Sequence, residues 1–181
     1  MCGIVGYVGF REAAGVLLEG LRRLEYRGYD SAGVALAVPG GIWRARAATG
    51  TTSLTTLGKT ADEAPPGARC GIGHTRWATH GAPTEPNAHP HLDCSGRLAL
   101  VHNGIVENHR ELGAPLYEVA HARASETDTE VLAHMIEDEM AAGASLVEAM
   151  RRCCAGVRGD FAVAAVRGSL TSSLICGPRI G

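Results

Sequence analysis

Seven short apolar runs constrain the fold of this chain more than any other feature. They fall at 4–8, 32–38, 42–47, 70–75, 97–102, 161–166 and 173–176, and each has the length and composition of a strand. Helical periods appear between them. Val16, Leu17, Leu21 and Leu24 predict a helix over 11–23. A second helix is predicted over 127–140, with Val131, Leu132, Met135 and Ile136 on its apolar face. Thr127 and Glu130 have capping-box spacing at its start, and Ser145 and Glu148 repeat that spacing before a shorter helix. The stretch 105–120 is weakly helical and is expected to break near Pro115, while 51–57 fits neither period. The order strand, helix, strands, helices, strands predicts a layered α+β fold.

A chain of 181 residues is read as one domain, 1–181, able to bury its own core. Its net charge of −2 and the lack of a lysine or arginine run argue against nucleic acid or an anionic membrane as partner. No apolar run is long enough to span a bilayer. The first ten residues lack the basic lead of a secretory signal, so a cytoplasmic location is expected. Cysteines at 2, 70, 94, 153, 154 and 176 include no C-x-x-C pair, which argues against a zinc ribbon and for free thiols.

Four features carry possible chemistry. Cys2 follows Met1, and a small second residue favours methionine removal. The exposed α-amine, with a pKa of about 8, could then serve as base for the thiol on the same residue. The loop 74–81 offers Arg76, a side chain able to grip a carboxylate with two parallel hydrogen bonds. A strand ending in Asn103-Gly104 can aim a side-chain NH₂ and a backbone N–H at one point, as an oxyanion hole requires. Asp128, at a helix start, could pair with a substrate ammonium. Each has an ordinary reading too: Asn-Gly as a plain turn, Asp128 as a solvated helix start, Trp77 as core. The histidines at 74, 80, 89 and 91 are close in sequence, but no acidic residue or cysteine joins them at a ligand spacing. No metal is therefore expected, and no cofactor. Together the four features suit a substrate with an α-carboxylate, an α-amine and an acyl carbon to attack, which glutamine provides.

Met1 to Gly6, 24–33, His74-Thr75-Arg76-Trp77-Ala78-Thr79-His80-Gly81, Asn87-Ala88-His89-Pro90-His91, Val101 to Ile105 and Ser125 to Glu130 resemble the N-terminal glutaminase domain of the glucosamine-6-phosphate synthase family. That family lies within the class II glutamine amidotransferases. The likeness runs in order from Cys2 to about Leu132 and more weakly to Val166. It implies a four-layer αββα N-terminal-nucleophile hydrolase fold, a thioester on Cys2, release of ammonia and hydrolysis to glutamate. Asn103 and Gly104 match the family's oxyanion hole, Arg76 the residue holding the glutamine carboxylate, and Asp128 the one holding the amine. Trp77, Thr79 and His80 fall in the loop that closes over glutamine, and Arg27 matches a support for the Cys2 end. The family's sugar-phosphate isomerase region, which binds fructose 6-phosphate and receives the ammonia, has no match here. The glutaminase domain is also expected to be short at its C-terminus. A separate isomerase chain is the partner this implies besides L-glutamine. The rival expectation is a non-catalytic remnant that binds glutamine without turning it over.

Overall fold

The computed structural model describes residues 2–78, 81–119, 121–168 and 173–178. Thirteen elements follow in order among them: β1 (Gly3–Val8), α1 (Ala13–Arg23), β2 (Ser31–Val38), β3 (Gly41–Ala47), α2 (Ser53–Ala61), β4 (Cys70–Arg76), β5 (His91–Leu92), β6 (Leu98–Gly104), α3 (His109–Val119), α4 (Thr129–Ala141), α5 (Leu146–Gly156), β7 (Phe161–Arg167) and β8 (Ser173–Pro178). Two four-stranded sheets result, ordered β1-β4-β2-β3 and β5-β6-β7-β8, and every pairing is antiparallel.

The alternation of side chains along each strand builds the layers. On β2, Val34 and Leu36 pack against Leu17 and Leu21 of α1 and Leu54 and Leu57 of α2. The intervening Ala35 and Ala37 face the other sheet. On β6, Leu98 and Leu100 face Leu132 and Ile136 of α4, while Ala99 and Val101 point into the gap between sheets. The molecule is therefore layered helix, sheet, sheet, helix. Both faces of the central strands are covered, which is why Ser31–Val38 is buried along almost its whole length. Small residues dominate between the sheets (Ala35, Ala37, Ala99, Ala164), and leucines dominate under the helices. Each fully buried leucine contributes about 1.5–3 kcal/mol relative to an exposed one. Gly71 and Gly73 on β4 let α1 sit close, because a Cβ at Gly73 would lie 3.1 Å from Leu21 and one at Gly71 would lie 3.0 Å from Leu17.

Three local expectations change and a fourth holds. The ambiguous segment 51–57 begins with a 3₁₀ turn, Gly50–Thr52, and continues as α2. Pro115 does not break α3, which runs through it to Val119. Pro115 is exposed, so the acceptor it leaves on Glu111 can turn to water. The capping box at Thr127 and Glu130 is absent: the residue preceding α4 is Asp128, and it makes no side-chain cap bond. Thr127 instead bonds His91, and the Glu130 carboxylate accepts from the N–H groups of Ala124 and Ser125 and the Ser125 hydroxyl. The box expected at Ser145 and Glu148 forms.

Candidate active site

The site lies at one end of the gap between the sheets. Ile72 on β4 faces that gap, so His74 and Arg76, two and four residues on, share its face. Ala99 and Val101 do the same for Asn103 on β6. Ile4 packs into the gap from β1, which puts Cys2 on the same side. Strand β1 pairs with β4 as Gly3↔Thr75 and Ile4↔His74, and continuing that register brings Cys2 alongside Arg76 and Trp77.

The Cys2 thiol is partly exposed and sits against the backbone of Trp77, whose N–H donates to Sγ at 3.3 Å. The Asn103 NH₂ reaches the Cys2 carbonyl at 3.5 Å. Its other amide atom, Oδ1, lies 2.8 Å from Nε2 of His74. Burial pushes the His74 pKa down to about 3, so the ring is neutral near pH 7. Assigning the proton from these partners makes Nε2–H the donor and turns the Asn103 NH₂ toward Cys2. Gly104 follows with φ +116, and a Cβ there would lie 2.2 Å from the Asp160 carbonyl, so only glycine fits.

Arg76 is 4% exposed and donates to the carbonyls of Gly81 and Ala82, each at 3.3 Å. Burial lowers its pKa, and Asp30, Cys2 and Asp128 oppose that shift. Asp128 is 6% exposed, and its Oδ2 accepts from the Val106 N–H at 2.7 Å. Cys2, Arg76, Trp77, Gly104 and Asp128 line one pocket of about 280 Å³, its open mouth included. A larger cavity beside it is lined by Glu107, Arg110, Tyr117 and Arg123 but not by Cys2, so the smaller one is the candidate. Trp77 is 53% exposed at the mouth, with its ring over Gly28. Asp30 accepts from the Ala78 N–H and anchors the start of the loop. Arg27 lies with Gly3 and Asn103 along a neighbouring cavity. Thr79 and His80 lie outside the described residues.

Three residues escaped the sequence reading. His89 accepts from the His102 N–H on Nδ1 and meets the Thr129 hydroxyl on Nε2. Thr129 in turn meets Nδ1 of His102 at 3.1 Å. His102 lines the pocket, and its buried Nε2 has no hydrogen-bond partner among the described residues. The four close histidines suggested only a possible metal; the alternation along β4 was the signal that could have placed His74.

Comparison with known proteins agrees with this geometry. Residues 74–180 match the family model described as a glutamine amidotransferase domain. The chain is 56% identical over 167 residues to the glutamine--fructose-6-phosphate aminotransferase [isomerizing] of Streptomyces coelicolor, covering 92% of this chain and 27% of that protein. It is 55% identical over 163 residues to the enzyme of the same name from Thermus thermophilus, covering 90% and 26%. The chain thus spans about a quarter of the length of these relatives. Among solved structures, an allosteric regulatory enzyme of purine biosynthesis superposes with a TM-score of 0.77 at 23% identity, covering 98% of this chain and 37% of that one. The glutamine phosphoribosylpyrophosphate amidotransferase of B. subtilis superposes at 0.74 with 24% identity, covering 92% and 35%. Those two likenesses show a shared fold, with the four-layer αββα order described above. With the family match covering more than half of its residues, the chain belongs to the glutamine amidotransferase domain family.

Proposed function

We propose that the chain hydrolyses L-glutamine to glutamate and ammonia through a thioester on Cys2. The observation that carries this reading is the convergence of Cys2, Asn103, Arg76 and Asp128 at one end of the inter-sheet gap. Once Met1 is removed, the free α-amine takes the thiol proton, directly or through water, and Sγ attacks the side-chain carbonyl of glutamine. The Asn103 NH₂ and the Gly104 N–H receive the developing oxyanion, a contribution worth about 3–4 kcal/mol per donor in comparable sites. Ammonia leaves with the proton returned by the amine, and water then releases glutamate. Arg76 takes the α-carboxylate and Asp128 the α-ammonium, so the substrate is a free amino acid amide rather than a peptide. Trp77, at the mouth, covers it, Thr79 and His80 contribute to glutamine binding, and Arg27 supports the Cys2 end.

The names of the relatives extend the reading. Ammonia is delivered to fructose 6-phosphate held by a sugar-phosphate isomerase region, in a longer form of this chain or in a partner, and the product is glucosamine 6-phosphate. The work is done in the cytoplasm; no described helix is long and apolar enough to cross a membrane.

The test is intact mass before and after incubation with a glutamine-mimicking diazoketone, paired with a glutamate-release assay. Loss of Met1, one adduct and turnover, all dependent on Cys2, are expected. A chain that has lost Met1 yet forms neither adduct nor glutamate refutes the reading and leaves a glutamine-binding remnant. The 181-residue chain given fructose 6-phosphate and glutamine is expected to make no glucosamine 6-phosphate, and detection of that product refutes the need for the isomerase region.

A further inference from the structure

A second cluster of chemically active side chains lies away from Cys2, around the middle of α4. Four groups from three segments meet there: Cys94 in the turn between β5 and β6, His121 between α3 and α4, and His134 and Glu137 one turn apart on α4. The Cys94 Sγ lies 3.3 Å from Nδ1 of His121 and 3.6 Å from Nδ1 of His134. The Glu137 Oε2 lies 3.3 Å from Nδ1 of His121 and 3.4 Å from Nδ1 of His134. All four donor atoms fall within 4.8 Å of one another.

Those four separations are four of the six edges of a small four-cornered site, and the other two are no longer than 4.8 Å. A zinc ion with Zn–S of about 2.3 Å and Zn–N and Zn–O of about 2.0–2.2 Å implies ligand separations of about 3.3–3.6 Å. The observed distances fall in that range before any ion is added. The backs of the rings are arranged to match. Both imidazoles turn Nδ1 to the centre: His121 Nε2 is hydrogen-bonded to Asp138 at 2.9 Å, while His134 Nε2 lies 3.8 Å from Glu130, near it but without a hydrogen bond. A carboxylate on the outer nitrogen is the usual partner of a metal-bound histidine, because it fixes which nitrogen carries the proton. The Glu137 carboxylate is held in turn by the N–H groups of Cys94 and Ser95.

From this geometry we propose that Cys94, His121, His134 and Glu137 bind one zinc-class divalent cation in a closed tetrahedral site. Four protein ligands leave no open position, so the ion is structural rather than catalytic. It ties the β5–β6 turn and the segment before α4 to the helix that Asp128, in the Cys2 pocket, immediately precedes. The site does not depend on the glutaminase reading, and its test is read in a chain without that chemistry.

The experiment uses the Cys2→Ala protein, so that the N-terminal thiol cannot contribute, stripped with a chelator and titrated with cobalt(II). One equivalent is expected, with the intense visible bands of tetrahedral cobalt and a thiolate-to-cobalt charge-transfer band in the near ultraviolet. Native mass spectrometry with zinc should show one ion per chain. Cys94→Ser should abolish the charge-transfer band while keeping the far-ultraviolet circular dichroism of a folded chain, since Cys94 is exposed. Asp138→Asn should retain the ligands and weaken binding about 10–100-fold. Chelator should lower the Tm of the parent and leave Cys94→Ser unchanged. The proposal is overturned if no stoichiometric cobalt binds, if the bound cobalt is octahedral, or if the thiolate band survives Cys94→Ser.

Discussion

Mild acid should destabilise this protein through three buried histidines. His74, His89 and His91 are all buried and their rings touch: His74 and His89 are tilted with centroids 4.3 Å apart, and His89 and His91 meet edge to face at 4.9 Å. Burial pushes the pKa values of His74 and His91 down to about 3 and that of His89 well below its ordinary value. The charged groups around them are Arg76 on β4, Arg44 and Arg46 on β3, and Glu130 at the start of α4. Of these only Glu130 favours the charged ring, and it acts on His91. A base with a lowered folded pKa contributes its full stability above the unfolded pKa of about 6.5 and loses it as pH falls toward the folded value. Between pH 6 and 5 His74 and His91, both held at about 3, each cost a little over 1 kcal/mol, about 2–3 kcal/mol together, and His89 adds to the loss in the same direction. His134 is pushed up instead: burial opposes the shift, but Glu130 and Glu137 outweigh it. Its contribution is therefore already complete below pH 6.5 and leaves this window unchanged. Denaturant unfolding followed by circular dichroism at pH 7, 6 and 5 measures the slope. His91→Gln should reduce it by about a third. A loss of less than about 1 kcal/mol between pH 6 and 5 would refute the claim that these rings stay neutral in the folded state.

Asn103→Ala should lower kcat for glutamine hydrolysis about 10²–10³-fold with little change in KM, the cost of one oxyanion donor; an unchanged kcat removes Asn103 from the oxyanion hole. Arg76→Lys should raise KM about tenfold or more, because a lysine cannot reproduce a two-pronged grip, and a KM within twofold of the parent contradicts that role. Gly104→Ala should cost about 2–3 kcal/mol or more, since its φ is +116 and an added Cβ would lie 2.2 Å from the Asp160 carbonyl; a Tm within about 2 °C of the parent would contradict the strain.

The parts list of the site was legible in the linear sequence. Cys2, Arg76, Asn103, Gly104 and Asp128 are distinctive residue types in distinctive strings, and their chemistry follows from their functional groups wherever they lie. The α+β class was legible too, because apolar runs of strand length are local signals. Register was not legible. Sharing of the gap face by His74 and Arg76 with Asn103 depends on how β4 and β6 stack across two sheets, and each strand alone is compatible with either face. The capping of α4 also went to a longer-range competitor: Thr127 met His91 from another segment, and Glu130 met the chain ahead of it. Cys94, His121, His134 and Glu137 lie at spacings that match no ligand motif, so nothing in the linear order joins them. Sequence determined which groups were present and what each could do. Only the tertiary structure decided which of them meet, because convergence within about 3–4 Å is set by strand stacking and helix docking between residues far apart in the chain.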